Sequence, residues 1–426
     1  MAARTLVASI NGQPVGELGE VAGLWSFTYV ESWLENAQRY PLSPHLALRA
    51  EPHIDGGSNR PVQWFFDNLL PEEAQRTLLA TDAKIDAADA FGLLAYYGAE
   101  SAGALTLLPP EAQVPAGGLR PLPDADLSAR IKALPNAPLG RHAVKRMSLA
   151  GAQHKLAVVI ENGALFEPIG AQPSTHILKP DHPDEDYPHS VINEWFSMRL
   201  ARALGLEVPD VERRYVPEPV YLIRRFDRQQ TAAEWRRLHA IDACQLLNLD
   251  RSFKYARGSV ETLAALAELC RSPALARTRL FNWLVFNVLL GNGDAHLKNL
   301  SFLVTSAGIQ PAPFYDLLST AIYDSRLYQK QGWPDGSTLA WPVMGAGRFS
   351  ALNRPILIDA ARTLGLQAAT AERLISRQHG RIVGIAEEML AEIEAGNDGI
   401  VTPQGEQRCL RGILHTVIRE MAGRLT

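Results

Sequence analysis

Gly291-Asn292-Gly293-Asp294-Ala295-His296-Leu297-Lys298-Asn299, followed by the apolar run 300–304 and then Tyr315-Asp316, decides how this chain is read. An aspartate five residues before an asparagine on a loop, with a second aspartate beyond the next apolar segments, is the acidic layout of a kinase catalytic loop. Phosphoryl transfer needs one carboxylate to orient the attacking hydroxyl, and an amide oxygen and a second carboxylate to hold Mg2+ on ATP. Asp294 takes the first role in this reading, Asn299 and Asp316 the second.

The flanks support it. Leu280, Phe281, Leu284, Val285, Phe286, Val288 and Leu289 cover nearly all sides of a helix, which is therefore buried and holds the loop rigidly. After the loop, 300–304 reads as a strand, Ala307-Gly308 as a turn, and the segment ending at Phe314-Tyr315 as a second strand delivering Asp316. His296 stands where other kinases often place a lysine near the transferring phosphate; a structural histidine is the alternative. Lys298 reads as solvated or bound to backbone.

Upstream, 154–160 and 164–169 flank Asn162-Gly163 as a hairpin, and 175–179 follows as a third strand. Ser148 to Lys155 precedes this hairpin, where a phosphate-covering loop would sit. It holds one glycine and is neither GxGxxG nor a Walker sequence, so spacing alone allows a plain surface turn. Small Ala150, Gly151 and Ala152 do let backbone N–H groups approach phosphate. Lys179, at a strand end, can reach the α and β phosphates, or is simply solvated. The helix of about 189–204, stopped by Gly205, leaves Glu194 at the margin of its apolar face, where it either pairs with Lys179 or is exposed.

At the N-terminus, residues 5–30 alternate and turn at Asn11-Gly12, Pro71-Glu72-Glu73 opens a helix, and 105–108 closes the unit as a strand. Proline-rich 109–139 reads as a linker or a loop crossing the surface. Residues 319–347 are long and mostly non-periodic, as an activation or docking segment would be. Beyond them 356–364, 369–375, 382–393 and 410–425 read as amphipathic helices.

With 426 residues and 46% hydrophobic content, the chain buries two cores or a bilobal one. A formal charge of −4 gives no basic footprint for nucleic acid. Cys244, Cys270 and Cys409 are too few and too scattered for a disulfide framework or zinc site. Without a secretory or membrane-spanning apolar run, the expected location is the cytoplasm.

Met147 to Lys155, Thr175 to Lys179, Asn193-Glu194, Arg225-Phe226-Asp227-Arg228, Lys254-Tyr255, the Asp294 loop and Phe314-Tyr315-Asp316 together resemble the successive motifs of the HipA family. The resemblance implies an α+β, bilobal protein-kinase-like fold: an N-terminal subdomain (1–108), a linker (109–139), an N-lobe core (140–223), a hinge (224–228) and a helical C-lobe (229–426). It implies a serine/threonine kinase toxin using ATP and Mg2+, acting on a protein of translation such as an aminoacyl-tRNA synthetase. Its partner would be a HipB-like helix-turn-helix antitoxin that carries it onto operator DNA. Nucleotide would be held by Ala150, Gly151, Ala152, Gln153, His154, Lys155, Lys179, Arg224 and Phe226, with Asp227 supporting.

Ser148 matches the family's inactivating autophosphorylation site. A phosphate of about −1.5 to −2 charges in a loop that binds ATP phosphates would repel them, and Arg141, Lys145 and Arg146 nearby either hold the ejected phosphoserine or form a solvated basic face. One departure from the family is Arg224, where its hinge usually carries glutamate, which bears on local charge and nucleotide affinity. A small-molecule kinase of aminoglycoside-phosphotransferase type and a catalytically silent ATP-binding module are the competing readings. Intact Lys179, Asp294, Asn299 and Asp316 weigh against the second.

Overall fold

The computed structural model describes residues 3–232 and 234–426. They form two compact units, one of Met1–Pro180, Tyr215–Phe253 and Ser301–Ala312, the other of Asp181–Arg214, Lys254–Leu300 and Pro313–Thr426.

The first unit opens with an antiparallel sheet of β1 (Arg4–Ile10), β2 (Gln13–Val21), β3 (Leu24–Tyr29) and β4 (His53–Ile54), with β5 (Leu105–Leu108) on the other side of β1. Asn11 and Gly12 both have positive φ (50° and 79°), the primed hairpin turn these residues favour. Leu6, Ala8, Leu18 and Phe27 alternate to a buried face. Four short helices, α1 (Glu31–Leu34), α2 (Pro61–Asp67), α3 (Glu73–Ala83) and α4 (Ala90–Tyr97), complete this subdomain, with Phe66 of α2 5.5 Å from the Phe27 ring.

The stretch 109–139 is more than a linker. It holds β6 (Gly118–Pro121) and α5 (Asp124–Lys132), and Leu122, Leu127 and Leu139 join a core with Val158, Leu178 and Val220. Its prolines punctuate rather than forbid structure: Pro121 ends a sheet-edge strand, where a missing N–H costs little, and Pro123 occupies the N-cap of α5. Next come β7 (Leu156–Glu161), β8 (Ala164–Ile169) and β9 (His176–Pro180), the first two joined by Asn162-Gly163 in the same primed turn (φ 49° and 80°). After α6 (Ser190–Ala203) and β10 (Val211–Tyr215), β11 (Pro219–Arg224) completes a β11-β9-β7-β8-β6 order in this unit. The hairpin of β12 (Arg228–Gln230) and β13 (Trp235–Arg237) follows, then β14 (Ala240–Asp242) and α7 (Ala243–Leu246).

The second unit is built on α6, α8 (Val260–Glu268) and α9 (Pro273–Leu290). Every residue of α9 from Trp283 to Leu290 is buried, as its all-round apolar sequence requires. Beyond it, β15 (Ser301–Thr305) and β16 (Gly308–Pro311) form an antiparallel pair that belongs to the first unit. β16 stops at Pro311, so Asp316 is delivered by an irregular segment rather than by a strand. The stretch 319–347 contains 3₁₀ turns and most of the pair β17 (Thr338–Val343) and β18 (Ala346–Arg348).

Four helices close the unit: α10 (Arg354–Thr363), α11 (Ala368–Glu394), α12 (Gln404–Gly412) and α13 (Arg419–Arg424), the last two joined by a π-helical turn. The two helices expected at 369–375 and 382–393 are thus one. Between the two expected segments Gln378 is buried and donates from Nε2 to the Asn282 carbonyl at 3.0 Å. No described helix is long and apolar enough to cross a membrane.

Candidate functional site

In the second unit, α9 ends because Gly291 takes a left-handed conformation (φ 69°). The Asn292 N–H then returns to the Asn287 carbonyl at 2.9 Å, a glycine C-cap of the Schellman kind. A side chain on Gly291 would run into Val417 and Ala321, so only glycine lets the chain turn here. Polar residues fix the rest of the loop. Asn292 Nδ2 donates to Asn287 Oδ1 (2.7 Å), Asn292 Oδ1 accepts from the Asp294 N–H (3.0 Å), and the Gly293 N–H donates to Thr320 Oγ1 (2.6 Å).

Two sequence-predicted residues are bound to each other: Asn299 Nδ2 donates to the Asp294 carbonyl at 2.9 Å. With its NH2 group engaged there, the asparagine has its amide oxygen left for a cation. Asp316 carries a left-handed φ of 58°, a strain that persists only where surroundings impose it and that gathers at functional sites. Mg2+ keeps several waters and substrate phosphate oxygens, needing only one or two protein oxygens, and the asparagine amide and aspartate carboxylate are suitable hard donors. No group of three or more His, Cys, Asp or Glu side chains disposed to hold a metal occurs among the described residues; a two-ligand magnesium site requires none.

Asp294 receives a partner that sequence reasoning gave no role, the Tyr255 hydroxyl, which donates to Oδ1 at 2.6 Å. Tyr255 lies edge-on to the His296 ring, centroids 5.0 Å apart. Its segment is tied to the loop by the Leu297 N–H donating to the Lys254 carbonyl (3.1 Å). Burial pushes the Asp294 carboxyl above its ordinary value, and Asp316 pushes the same way; His296, the Tyr255 hydroxyl and Lys254 oppose them. A carboxylate made more basic by burial, with one oxygen committed to a donor, can orient and accept a hydroxyl proton on the other. His296 and Lys298 are both buried, which removes the solvated alternative for Lys298.

In the first unit, Lys179 is buried near the end of β9, its Nζ 5.8 Å from the centre of the Tyr221 ring. Glu194, in the second unit, is buried within α6 rather than marginal or exposed. The segment that precedes β7 is not a free surface turn. Ser148 is fully buried, its Oγ donating to the Leu69 carbonyl at 2.6 Å and its N–H to the Glu100 carbonyl at 2.8 Å. Gly151 (φ 106°) pairs in a bridge with Pro71, Lys155 Nζ donates to the Ala150 carbonyl (2.6 Å), and His154 Nδ1 lies 2.7 Å from Gln75 Nε2. Ala152 and Gln153 complete the loop.

The cations expected to await a phosphoserine are engaged already. Arg141 pairs with Asp82 (2.8 Å), Arg146 stacks 3.9 Å above the Tyr96 ring, and Lys145 pairs with Glu100 (2.6 Å). Burial alone would neutralise Glu100. Lys145, Arg228, Arg225 and Arg237 overrule it and hold the carboxyl well below its usual range. Lys145 itself is brought down to about 8, burial outweighing the attraction of Glu100.

The expected hinge is largely this same network. Arg225 binds Asp227 (2.7 Å) and Glu100 (3.3 Å), Arg228 binds Glu100 (2.9 Å), and Asp227 Oδ2 accepts from the Gly103 N–H (2.7 Å). Phe226 between them is half-buried. Arg224 is exposed at the end of β11, 5.9 Å from the Trp235 ring centre. Sequence reasoning missed Glu100 because nothing local marks a lone glutamate over a hundred residues from its arginines. Tyr255 was visible only as part of a motif.

Comparison with known proteins gives the family. Residues 6–108 match the HipA N-terminal domain and residues 147–386 the HipA-like C-terminal domain. A putative kinase, Y4mE, of Sinorhizobium fredii (strain NBRC 101917 / NGR234) is 39% identical over 338 residues, 76% of this chain and 79% of its own. The serine/threonine-protein kinase toxin HipA of Shewanella oneidensis is 33% identical over 341 residues, 75% of this chain and 76% of its own. Among solved structures, the Shewanella oneidensis HipA, HipB and operator DNA complex contains a chain that superposes with a TM-score of 0.81 at 26% identity, covering 99% of this chain and 97% of that one.

Proposed function

Because this chain belongs to the HipA family of kinases, we propose that it transfers the γ-phosphoryl group of ATP to serine or threonine hydroxyls of a protein, as the toxin of a toxin–antitoxin pair. The observation that carries the reading is the Asp294 loop: a half-buried carboxylate with Tyr255 on Oδ1, and Asn299 bound to the Asp294 backbone with its amide oxygen left for a cation. Asp294 Oδ2 would receive the substrate hydroxyl and draw its proton as the oxygen attacks. Magnesium, held by Asn299 and Asp316, would supply charge neutralisation on the phosphates. Lys179 would hold the α and β phosphates, with Glu194 as its supporting carboxylate, and backbone N–H groups of 150–155 would cover them.

The substrate would be a protein of translation, and the partner a HipB-like antitoxin through which the kinase meets DNA, all in the cytoplasm. The Shewanella oneidensis HipA, HipB and operator DNA complex supports the partner, the substrate class rests on the resemblance of the motifs alone, and a formal charge of −4 is consistent with a protein that meets DNA mainly through a partner. Autophosphorylation of Ser148 would shut the enzyme off. Its hydroxyl is fully buried on the Leu69 carbonyl, so the reaction would proceed from a loop that has left this berth. A phosphate could not return to a site that offers it a carbonyl oxygen.

Intact-mass spectrometry of the purified, unphosphorylated chain after incubation with Mg2+ and ATP tests this, beside Asp294→Asn and Ser148→Ala. A gain of one phosphate in the wild type and in neither variant is the expected result. A gain that survives Asp294→Asn would remove the catalytic assignment, and one that survives Ser148→Ala would move the modified residue elsewhere.

A further inference from the structure

The segment 145–155 is anchored at many points by residues 69–100, all in the subdomain that precedes it, with Lys145 Nζ also donating to the Gln172 carbonyl at 2.9 Å. Lys145 pairs with Glu100, Arg146 stacks on Tyr96, and Met147 bridges to Gly98. Ser148 binds Glu100 and Leu69 through its N–H and hydroxyl, Gly151 bridges to Pro71, and His154 meets Gln75. Each of the anchors in 69–100 lies on or beside α3 and α4. A phosphate-covering loop that joins two strands is ordinarily shaped by them. This one is shaped by a separate part of the chain.

Glu100 is the centre of that support. Its carboxylate is fully buried and is met by Lys145, Arg225, Arg228 and Arg237, and by the Ser174 hydroxyl, while its carbonyl takes the Ser148 N–H. A buried carboxylate met from several segments at once ties those segments to one another. The same carboxylate grips the root of the loop on one oxygen and the 225–228 segment on the other.

We propose that the N-terminal subdomain positions the phosphate-covering loop, with Glu100 as the positioning residue acting through Lys145 and the Ser148 backbone, and Gln75 as a second anchor acting through His154. The subdomain thereby sets nucleotide affinity without touching the reacting atoms. This rests on the kinase reading for its kinetic consequence, but its structural consequence can be read without any turnover.

The test uses the full chain with Lys145→Met, which keeps the stem and leaves Glu100 its three arginines, and with Gln75→Leu. Hydrogen–deuterium exchange is followed in 145–149, in 151–155 and, as an internal control, in the β7–β8 hairpin. Lys145→Met is expected to speed exchange about tenfold at 145–149, and Gln75→Leu at 151–155, with the control unchanged in both. KM for ATP is expected to rise about tenfold with kcat within twofold. Unchanged exchange in the loop would overturn the proposal, as would an increase spread evenly over the control, since that is what a merely structural role produces. If exchange localises as expected and the wild type shows no turnover, the kinase reading fails and the positioning of the loop stands.

Discussion

The Asp294 loop and the Ser148 loop are two polar loops of similar length built in opposite ways. The first takes its turn chiefly from its own neighbourhood, capped by Gly291, braced by Asn287 and Asn292 and closed by Asn299, with Thr320, Tyr255 and Lys254 as its more distant partners. The second borrows its shape from Leu69, Pro71, Gln75, Tyr96, Gly98 and Glu100. A loop fixed by near neighbours can stay rigid through a reaction. A loop fixed by distant ones can be released as a piece, which suits a segment whose modification would switch the enzyme off.

The largest expected effect falls on the locally built loop. Asp294→Asn keeps the size of the side chain and its place beside Tyr255 but loses the proton acceptor, so phosphoryl transfer should fall by about 10²–10⁴-fold. ATP affinity, read by a nucleotide titration, should hardly move. A comparable loss of affinity would mean that Asp294 binds nucleotide rather than orienting the hydroxyl.

Two glycines make the comparison directly. Both have positive φ, 69° at Gly291 and 106° at Gly151. A methyl on Gly291 meets packed Val417 and Ala321, whereas on Gly151 it meets the ammonium end of Lys155 at 2.6 Å, which can swing aside. Gly291→Ala should cost about 2–3 kcal/mol from backbone strain and overpacking together, and Gly151→Ala roughly half as much. Thermal unfolding of both variants measures the difference, and equal losses would remove the distinction between a packed and a yielding loop.

The same contrast explains what the sequence disclosed. The shape of the Asp294 loop was readable because the glycine and asparagines that form it lie beside Asp294 and Asn299. The hairpins at Asn11-Gly12 and Asn162-Gly163 were readable for the same reason. Glu100 was not, since its meaning is the convergence of Lys145, Arg225, Arg228 and Arg237 from three other segments. The proline-rich 109–139 misled by composition: its prolines mark the ends of β6 and α5 while its leucines feed a core. Around Gln378 the sequence suggested two helices where there is one, and that polar residue is buried with Nε2 donating to Asn282.

Tyr255→Phe probes the local loop more gently. It deletes one hydrogen bond to a carboxylate, generally worth about 1.5–3 kcal/mol, and leaves the ring edge-on to His296. Because kcat depends on only part of that bond, a fall of about tenfold is expected. The sign of the pH effect is fixed. The hydroxyl lowers the Asp294 pKa against burial, so its loss raises that pKa, and the acid limb of the rate profile, which needs the carboxylate ionised, moves to higher pH. An unmoved limb would show that Tyr255 does not act through Asp294.

The smallest effect tests the non-local unit. His239 is buried with Nε2 2.8 Å from the Leu42 carbonyl and no partner at Nδ1, and burial brings it down from 6.5 to about 4. A second proton would leave a buried N–H with nothing to receive it. Above pH 6.5 neither folded nor unfolded histidine is charged and the residue contributes no pH dependence. As pH falls from about 6.5 toward 4 the unfolded chain takes up a proton that the folded chain refuses, so stability is lost in that window. By pH 5.5 the loss is about 1.4 kcal/mol. Urea unfolding at pH 7.5 and 5.5 should show it in the wild type, and His239→Leu, which has nothing to protonate, should show a shallower fall between the two. An unchanged slope would mean that the seam between Leu42 and His239 opens before the rest of its unit unfolds. The N-terminal subdomain would then be a separable piece, and the loop it positions would be released with it.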